Sequence, residues 1–144
     1  MPSLHPYLNF NGTTEEAFNF YKSVFGGEFV VLQRFKDTAD GASLPAEDQE
    51  KIMHIALPIG EDTILMANDS LESMGHPLTV GNNVSLSIDA KSMEEATSLF
   101  NGLAEGGIIT MPLQKTFWGA FFGMCTDRFG INWMVNHDIE EQHS

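Results

Sequence analysis

The chain has 144 residues, the size of one ordinary domain, and 42% of them are hydrophobic, with 11 Phe and 8 Met available to a core. Twenty acidic residues against seven basic ones give a formal charge of −13, which repels nucleic acid and anionic membrane surfaces and argues against both as partners. No stretch approaches the roughly 18 consecutive apolar residues of a membrane span, and the N-terminus lacks the basic-then-apolar pattern of a secretory signal, so the expected location is cytoplasmic.

The first expected strand is the run His5-Pro6-Tyr7-Leu8-Asn9-Phe10, ended by Asn11-Gly12. Thr13 followed three residues later by Glu16 has the spacing of a capping box, in which side chains satisfy the free N–H groups of a helix start. The helix expected over 14–25 carries Ala17, Phe20, Tyr21, Val24 and Phe25 at a spacing that places them on one buried face, and Gly26-Gly27 stops it. Three extended segments follow near 28–35, 51–59 and 62–68, interrupted by a polar, acidic loop from Asp37 to Glu50.

After a Gly- and Pro-containing connector, the same order returns. Val84 to Ile88 reads as a strand, Ser92 and Glu95 as a capping box, and Ala96, Leu99, Phe100 and Leu103 as the buried face of a helix over 93–105. Gly106-Gly107 stops that helix, and strands follow near 108–115, 120–125 and 131–136. Glu15-Glu16-Ala17 recurs as Glu94-Glu95-Ala96, and Phe20-Tyr21 as Leu99-Phe100 at the same offset. The repeated order predicts an α+β fold of two tandem βαβββ modules: module one about 1–68, a linker 69–82, module two about 83–137 and an acidic tail 138–144. A helix covers one face of each four-stranded sheet, so the expected use of the other faces is to line a cleft around which the curved mixed sheets close.

Several side chains have two readings. His54 alternates with Met53, Ile55 and Leu57, which puts it with Ala56 on the opposite sheet face, as a general base, a ligand-orienting donor or a hydrogen-bonded structural histidine. Phe117, Trp118, Phe121, Phe122 and Trp133 form either a stacking pocket or core packing; Trp118, in a Trp-Gly loop, is the pocket candidate of the set. Tyr7 projects from the first strand either to the same cleft or to core. His76 falls in the linker, and His137 and His143 read as part of the tail. Cys125 lies in an apolar segment and reads as a buried structural thiol. Glu15, Glu16, Glu94 and Glu95 sit in first helical turns, where capping and the helix dipole account for them. No phosphate-cradling loop, zinc cysteine pair or Gly-x-Ser-x-Gly elbow is present.

Pro6 to Gly12, the Phe20-Tyr21 and Phe25-Gly26-Gly27 helix end, Met53 to Leu57, Leu65 to Asp69, and above all Thr116-Phe117-Trp118-Gly119 with Thr126-Asp127-Arg128-Phe129-Gly130-Ile131-Asn132-Trp133 resemble PhnB-like proteins of the glyoxalase/bleomycin-resistance/dioxygenase, or vicinal oxygen chelate, superfamily. The resemblance covers nearly the whole chain and implies the glyoxalase-like fold and a homodimer. It also implies a divalent metal held by His, Gln or Glu on the first and last strands of each module, but only His5 stands near such a position, and Met66 and Met134 stand near the usual carboxylate positions.

The expected function is therefore binding of a small organic molecule in the inter-sheet cleft without a conventional catalytic metal, with no cofactor. The candidate ligand-binding residues are His5, Tyr7, His54, Phe117, Trp118 and Phe122; His54 is the candidate for catalysis and His5 the weak candidate for metal. The alternative is a metal-dependent lyase, isomerase or dioxygenase. Some PhnB-like proteins are labelled ubiquinone-pathway methyltransferases, but a Rossmann-type methyltransferase needs a glycine-rich turn between strand and helix within alternating βαβ units, and here the glycine pairs follow the helices.

Overall fold

The computed structural model describes residues 2–71, 73, 75 and 77–139. The chain divides into two compact units, Met1–Thr79 and Val80–Ser144. The first contains β1 (Tyr7–Phe10), α1 (Thr14–Phe25), β2 (Val31–Arg34), a one-turn α2 (Ala46–Gln49), β3 (Ile52–Ile59) and β4 (Thr63–Asp69). Its sheet has the order β1-β4-β3-β2, with β1 parallel to β4 and the other neighbours antiparallel. The second contains β5 (Leu86–Asp89), α3 (Met93–Ala104), β6 (Ile108–Lys115), β7 (Ala120–Thr126) and β8 (Asn132–Asp138) in the order β5-β8-β7-β6, again with only the outer pair β5-β8 parallel. The two units thus share one βαβββ topology, as the internal repeat predicts.

The period-two pattern of each sheet separates a helix-covered face from a helix-free one. In the first unit α1 packs on β3 and β4. Ala17, Phe18 and Tyr21 of α1 are fully buried together with Ile55, Leu57, Leu65 and Ala67 of the strands. Phe18 joins the core beside the predicted residues, whereas Val24 and Phe25 are only half-buried. In the second unit α3 buries Ala96, Phe100 and Leu103 against β6, β7 and β8, where Cys125, Trp133 and Val135 face it. Gly123 of β7 permits this approach, because a Cβ there would lie 2.8 Å from the Phe100 ring and 2.9 Å from the Leu113 backbone. Gly107 is needed for the same reason: a Cβ would meet the Thr126 carbonyl.

Four local expectations are corrected. The first strand begins at Tyr7 rather than His5, and the fifth at Leu86 rather than Val84, since pairing with β4 and β8 starts there. The Asp37–Glu50 loop is locally ordered, holding short 3-10 turns at Phe35–Asp37 and Gly41–Ser43 as well as α2. Its buried Asp48 accepts from Lys51 Nζ at 2.9 Å and from the Ser73 hydroxyl at 2.7 Å.

The start of α1 is the largest correction. Thr13 makes no side-chain cap. The cap comes instead from Asp69 at the end of β4: its Oδ1 accepts from the Gly12 and Thr14 N–H groups, each at 3.0 Å, and from the Thr14 hydroxyl at 2.6 Å, while Oδ2 accepts from Ile52 N–H at 2.8 Å. A buried carboxylate with four donors outcompetes an exposed threonine hydroxyl. Only half of the second box forms: Glu95 N–H donates to Ser92 Oγ at 3.0 Å, while the Glu95 carboxylate accepts from Lys91 N–H at 2.8 Å, one residue before the cap.

Candidate functional site

In the first unit, register places Tyr7 opposite Met66, Met66 opposite Ala56, and Ala56 opposite Val31, all on the face away from α1. His54, two residues before Ala56, lies on the same face, as its alternation predicts. Tyr7 and His54 come together there: their rings stack at 5.8 Å between centroids and 20° between planes, and the Tyr7 hydroxyl lies 3.4 Å from His54 Nδ1. That separation is long for a hydrogen bond, so the pair is held more by ring contact than by proton sharing. Partial burial pushes the Tyr7 hydroxyl up from its ordinary value.

His5 stands apart from that pair in its bonding. Its Nδ1 accepts the Ile64 backbone N–H at 3.0 Å, extending the contact of the N-terminal segment with β4. A nitrogen accepting a hydrogen bond has its lone pair engaged, so Nδ1 is not offered to a metal, and the tautomer that allows this bond carries the proton on Nε2. Among the described residues no three His, Cys, Asp or Glu side chains gather into a group able to hold a metal ion. At the positions where the superfamily's carboxylates are expected, Met66 and Met134 present thioethers. The donor set does not fit a divalent cation.

In the second unit, the helix-free face carries two cross-strand rows. One runs Ser87, Met134, Met124, Met111 and the next Asp89, Asn136, Phe122, Gln114. The β6–β7 turn is closed by the Thr116 N–H to the Ala120 carbonyl at 2.8 Å, with Gly119 at φ +87°, a conformation that favours glycine. It holds Trp118 edge-on to Phe122 at 6.0 Å and Phe117 edge-on to Trp118 at 5.0 Å. Phe117 is 96% exposed and Trp118 56% exposed, too much ring surface for core packing. Asn136 donates to Asp89 at 3.3 Å and to Asp138 at 3.1 Å, so its amide is oriented on this face.

The remaining aromatic candidates separate from these. Trp133 belongs to the helix-covered face, where its Nε1–H donates to buried Asp127 Oδ2 at 2.8 Å, and Phe121 lies on the same face opposite His137. Asp127 Oδ1 also accepts from Phe129 and Ile131 N–H at 2.8 and 3.1 Å, so the Thr126-to-Gly130 segment is a turn organised around one carboxylate. His137 is part of β8, not of a solvated tail, and its Nδ1 lies 2.9 Å from the Ala90 carbonyl. His76 and His143 lie outside the described residues. Cys125 is buried, and burial pushes its thiol up to about 11, away from a nucleophile's range. Glu15 has a partner beyond the helix dipole: Arg34 grips it with two bonds of 2.9 and 2.7 Å, and those bonds hold its carboxyl below the usual value.

Residues 2–136 match the family model described as 3-demethylubiquinone-9 3-methyltransferase. The chain is 30% identical over 141 residues to Protein YjdN of Escherichia coli, covering 92% of this chain and 93% of that protein. The crystal structure of protein PA1353 from Pseudomonas aeruginosa is 43% identical, with a TM-score of 0.84 and coverage of 96% and 98% of the two chains. The structure described as a putative 3-demethylubiquinone-9 3-methyltransferase, PhnB protein, from Bacillus cereus is 28% identical, with a TM-score of 0.76 and coverage of 94% and 99%. In fold alone it also resembles a glyoxalase/bleomycin resistance protein/dioxygenase family enzyme from Burkholderia phytofirmans, at 15% identity, a TM-score of 0.62 and coverage of 92% and 95%. Two βαβββ units are not the doubly wound sheet of a Rossmann-type methyltransferase, so the description attached to the family model carries no reaction over to this chain. The chain belongs to the family that this model describes, that of the PhnB-like proteins, and has the fold of the glyoxalase/bleomycin resistance/dioxygenase proteins.

Proposed function

We propose that this protein binds a small organic molecule with a flat, apolar body on the helix-free faces of its sheets, without a conventional catalytic metal. The observation that carries the reading is the Trp118–Phe122 edge contact, which sets a half-exposed indole against a ring on a face that no helix of its unit covers and that also carries Met124 and Met134. Aromatic rings and thioethers supply dispersion and ring contacts to a flat ligand, and the oriented Asn136 amide supplies polar discrimination. Tyr7 and His54 are the corresponding contacts in the first unit, with His54 the group that would act as a base if chemistry accompanies binding. The engagement of His5 and the thioethers at the expected carboxylate positions support binding over divalent-metal catalysis.

The test is a fluorescence titration with a library of flat aromatic compounds. Trp118 is exposed and Trp133 is buried, so a ligand on this face quenches the first and spares the second. Binding should saturate in the wild type, lose its quenching signal in Trp118→Phe, and weaken in a competition assay with Trp118→Ala. Saturable binding unaffected by Trp118→Ala would place the ligand elsewhere.

A further inference from the structure

On the helix-free face of the second unit, the surface beside the aromatic rings accepts hydrogen bonds and has few to give. Asn136 stands directly opposite Phe122 on one side and Asp89 on the other, and Asp138 follows two residues along β8 on the same face. Both hydrogens of the Asn136 amide nitrogen are engaged, one by Asp89 Oδ1 at 3.3 Å and one by Asp138 Oδ1 at 3.1 Å. Turning that amide over would set its oxygen against two carboxylates, so its orientation is fixed. What it presents to a ligand is its oxygen, flanked by the exposed carboxylates of Asp89 and Asp138, which are acceptors only. Directly opposed residues have Cβ atoms about 5 Å apart and diagonal ones about 7 Å, so a ring lying against Phe122 and Trp118 brings a substituent at its rim within reach of Asn136 and Asp138. No Lys or Arg stands in either cross-strand row of this face; Lys115 pairs with Phe121 and so belongs to the other side of the sheet.

We propose that the flat molecule bound on this face carries a protonated amine. The proposal rests on the aromatic binding surface described above and names the chemical class that this surface selects. The Trp118 and Phe122 rings attract a cation through their π faces, and an ammonium group brings three N–H donors to a place that offers acceptors. Its hydrogen bonds to Asp89 and Asp138 are charge-assisted, which makes them the strong ones of the set. A neutral hydroxyl satisfies one acceptor and brings no charge. A carboxylate ligand has no donor to give and meets two like charges. The formal charge of −13 on the chain draws the same class of ligand from longer range. Two acidic residues alone would specify nothing; the selectivity comes from their place beside the rings and from the amide that they hold.

The probes are matched triads in which naphthalene or biphenyl carries an aminomethyl, a hydroxymethyl or a carboxylate group, titrated against the full-length protein with Trp118 fluorescence as the readout. The amine should bind at least about tenfold more tightly than the alcohol, and the carboxylate more weakly than the alcohol. Asp89→Asn with Asp138→Asn keeps acceptors for the Asn136 amide and removes the charge, so the ratio of alcohol to amine dissociation constants should fall toward unity. A ratio taken within one protein cancels any general loss of affinity in the variant. Glu61→Gln with Asp62→Asn removes the same charge from the β3–β4 turn of the first unit and should leave the ratio at its wild-type value. Raising the ionic strength should lower the wild-type ratio with no variant needed. Equal affinity for amine and alcohol in the wild type, carboxylate binding as tight as that of the amine, a preference that survives in the folded Asp89 and Asp138 variant, or its loss in the Glu61 and Asp62 control would each overturn the proposal. Saturable quenching by all three probes alike would leave the aromatic surface standing and sink the amine preference, whereas no quenching by any of them would remove both.

Discussion

Asp69 caps the helix that begins at Thr14, 55 residues earlier in the chain, by accepting both its backbone N–H and its hydroxyl on one carboxylate oxygen. The other oxygen holds the first residue of β3, so one buried group ties helix start, third strand and fourth strand together. Asp69→Asn keeps the size but presents an amide donor to donors. We expect it to lower unfolding free energy by about 3 kcal/mol, with Thr13→Ala costing well under about 1 kcal/mol. Urea denaturation of both variants checks the order; equal effects would restore the Thr13 cap.

The Glu15–Arg34 pair gives a pH-dependent prediction. Two hydrogen bonds from Arg34 lower the Glu15 carboxyl, so its stabilisation is present above the unfolded carboxyl value and disappears as pH falls through the lowered folded one. Because Glu15 is 45% exposed, screening keeps the effect to about 0.5 kcal/mol. Wild type and Glu15→Gln should differ by that amount at neutral pH and converge in strong acid.

The buried Cys125 thiol should resist alkylation in the native state and react promptly in denaturant. Its value is raised from 9.0 to about 11 by burial, so stability is unaffected below the unfolded value and falls as pH climbs toward the folded one. Iodoacetamide labelling at mildly alkaline pH measures this; rapid native labelling would contradict it.

Much of the fold is legible in the residues because repeated local signals agree with it. The helix faces, glycine stops and strand order recur in both halves, and identical topology follows. The cap of α1 was not legible, since a capping box is a local pattern and Asp69 is a distant competitor. The partners of Asp127 were hidden likewise, although an Asp in a Thr-Asp-Arg-Phe-Gly turn signals a side chain bonding its own turn. Alternation placed His54 with Ala56 on the helix-free face, but only strand order brings Tyr7 across β4 to meet it. The row of Met134, Met124 and Met111 is not legible in the sequence, because the β6–β7 register shifts on both sides of Met111 break the simple alternation that would align it.

Homodimerisation is a further expectation, supported by the exposed apolar side chains Ile108, Ile109 and Met111 on β6, an edge strand of its sheet. Light scattering at low micromolar concentration should give about twice the 15.9 kDa chain mass. A monomer mass across that range would contradict it.

Native mass spectrometry of untagged protein, taken directly from cells and again after dialysis against metal-free buffer, tests the central claim most directly. We expect a retained organic adduct, or an adduct formed with a ligand from the aromatic library, that Trp118→Ala weakens, and far less than one divalent metal per chain. A stoichiometric divalent metal that survives dialysis and is lost in His5→Ala, with no organic adduct, would contradict the account.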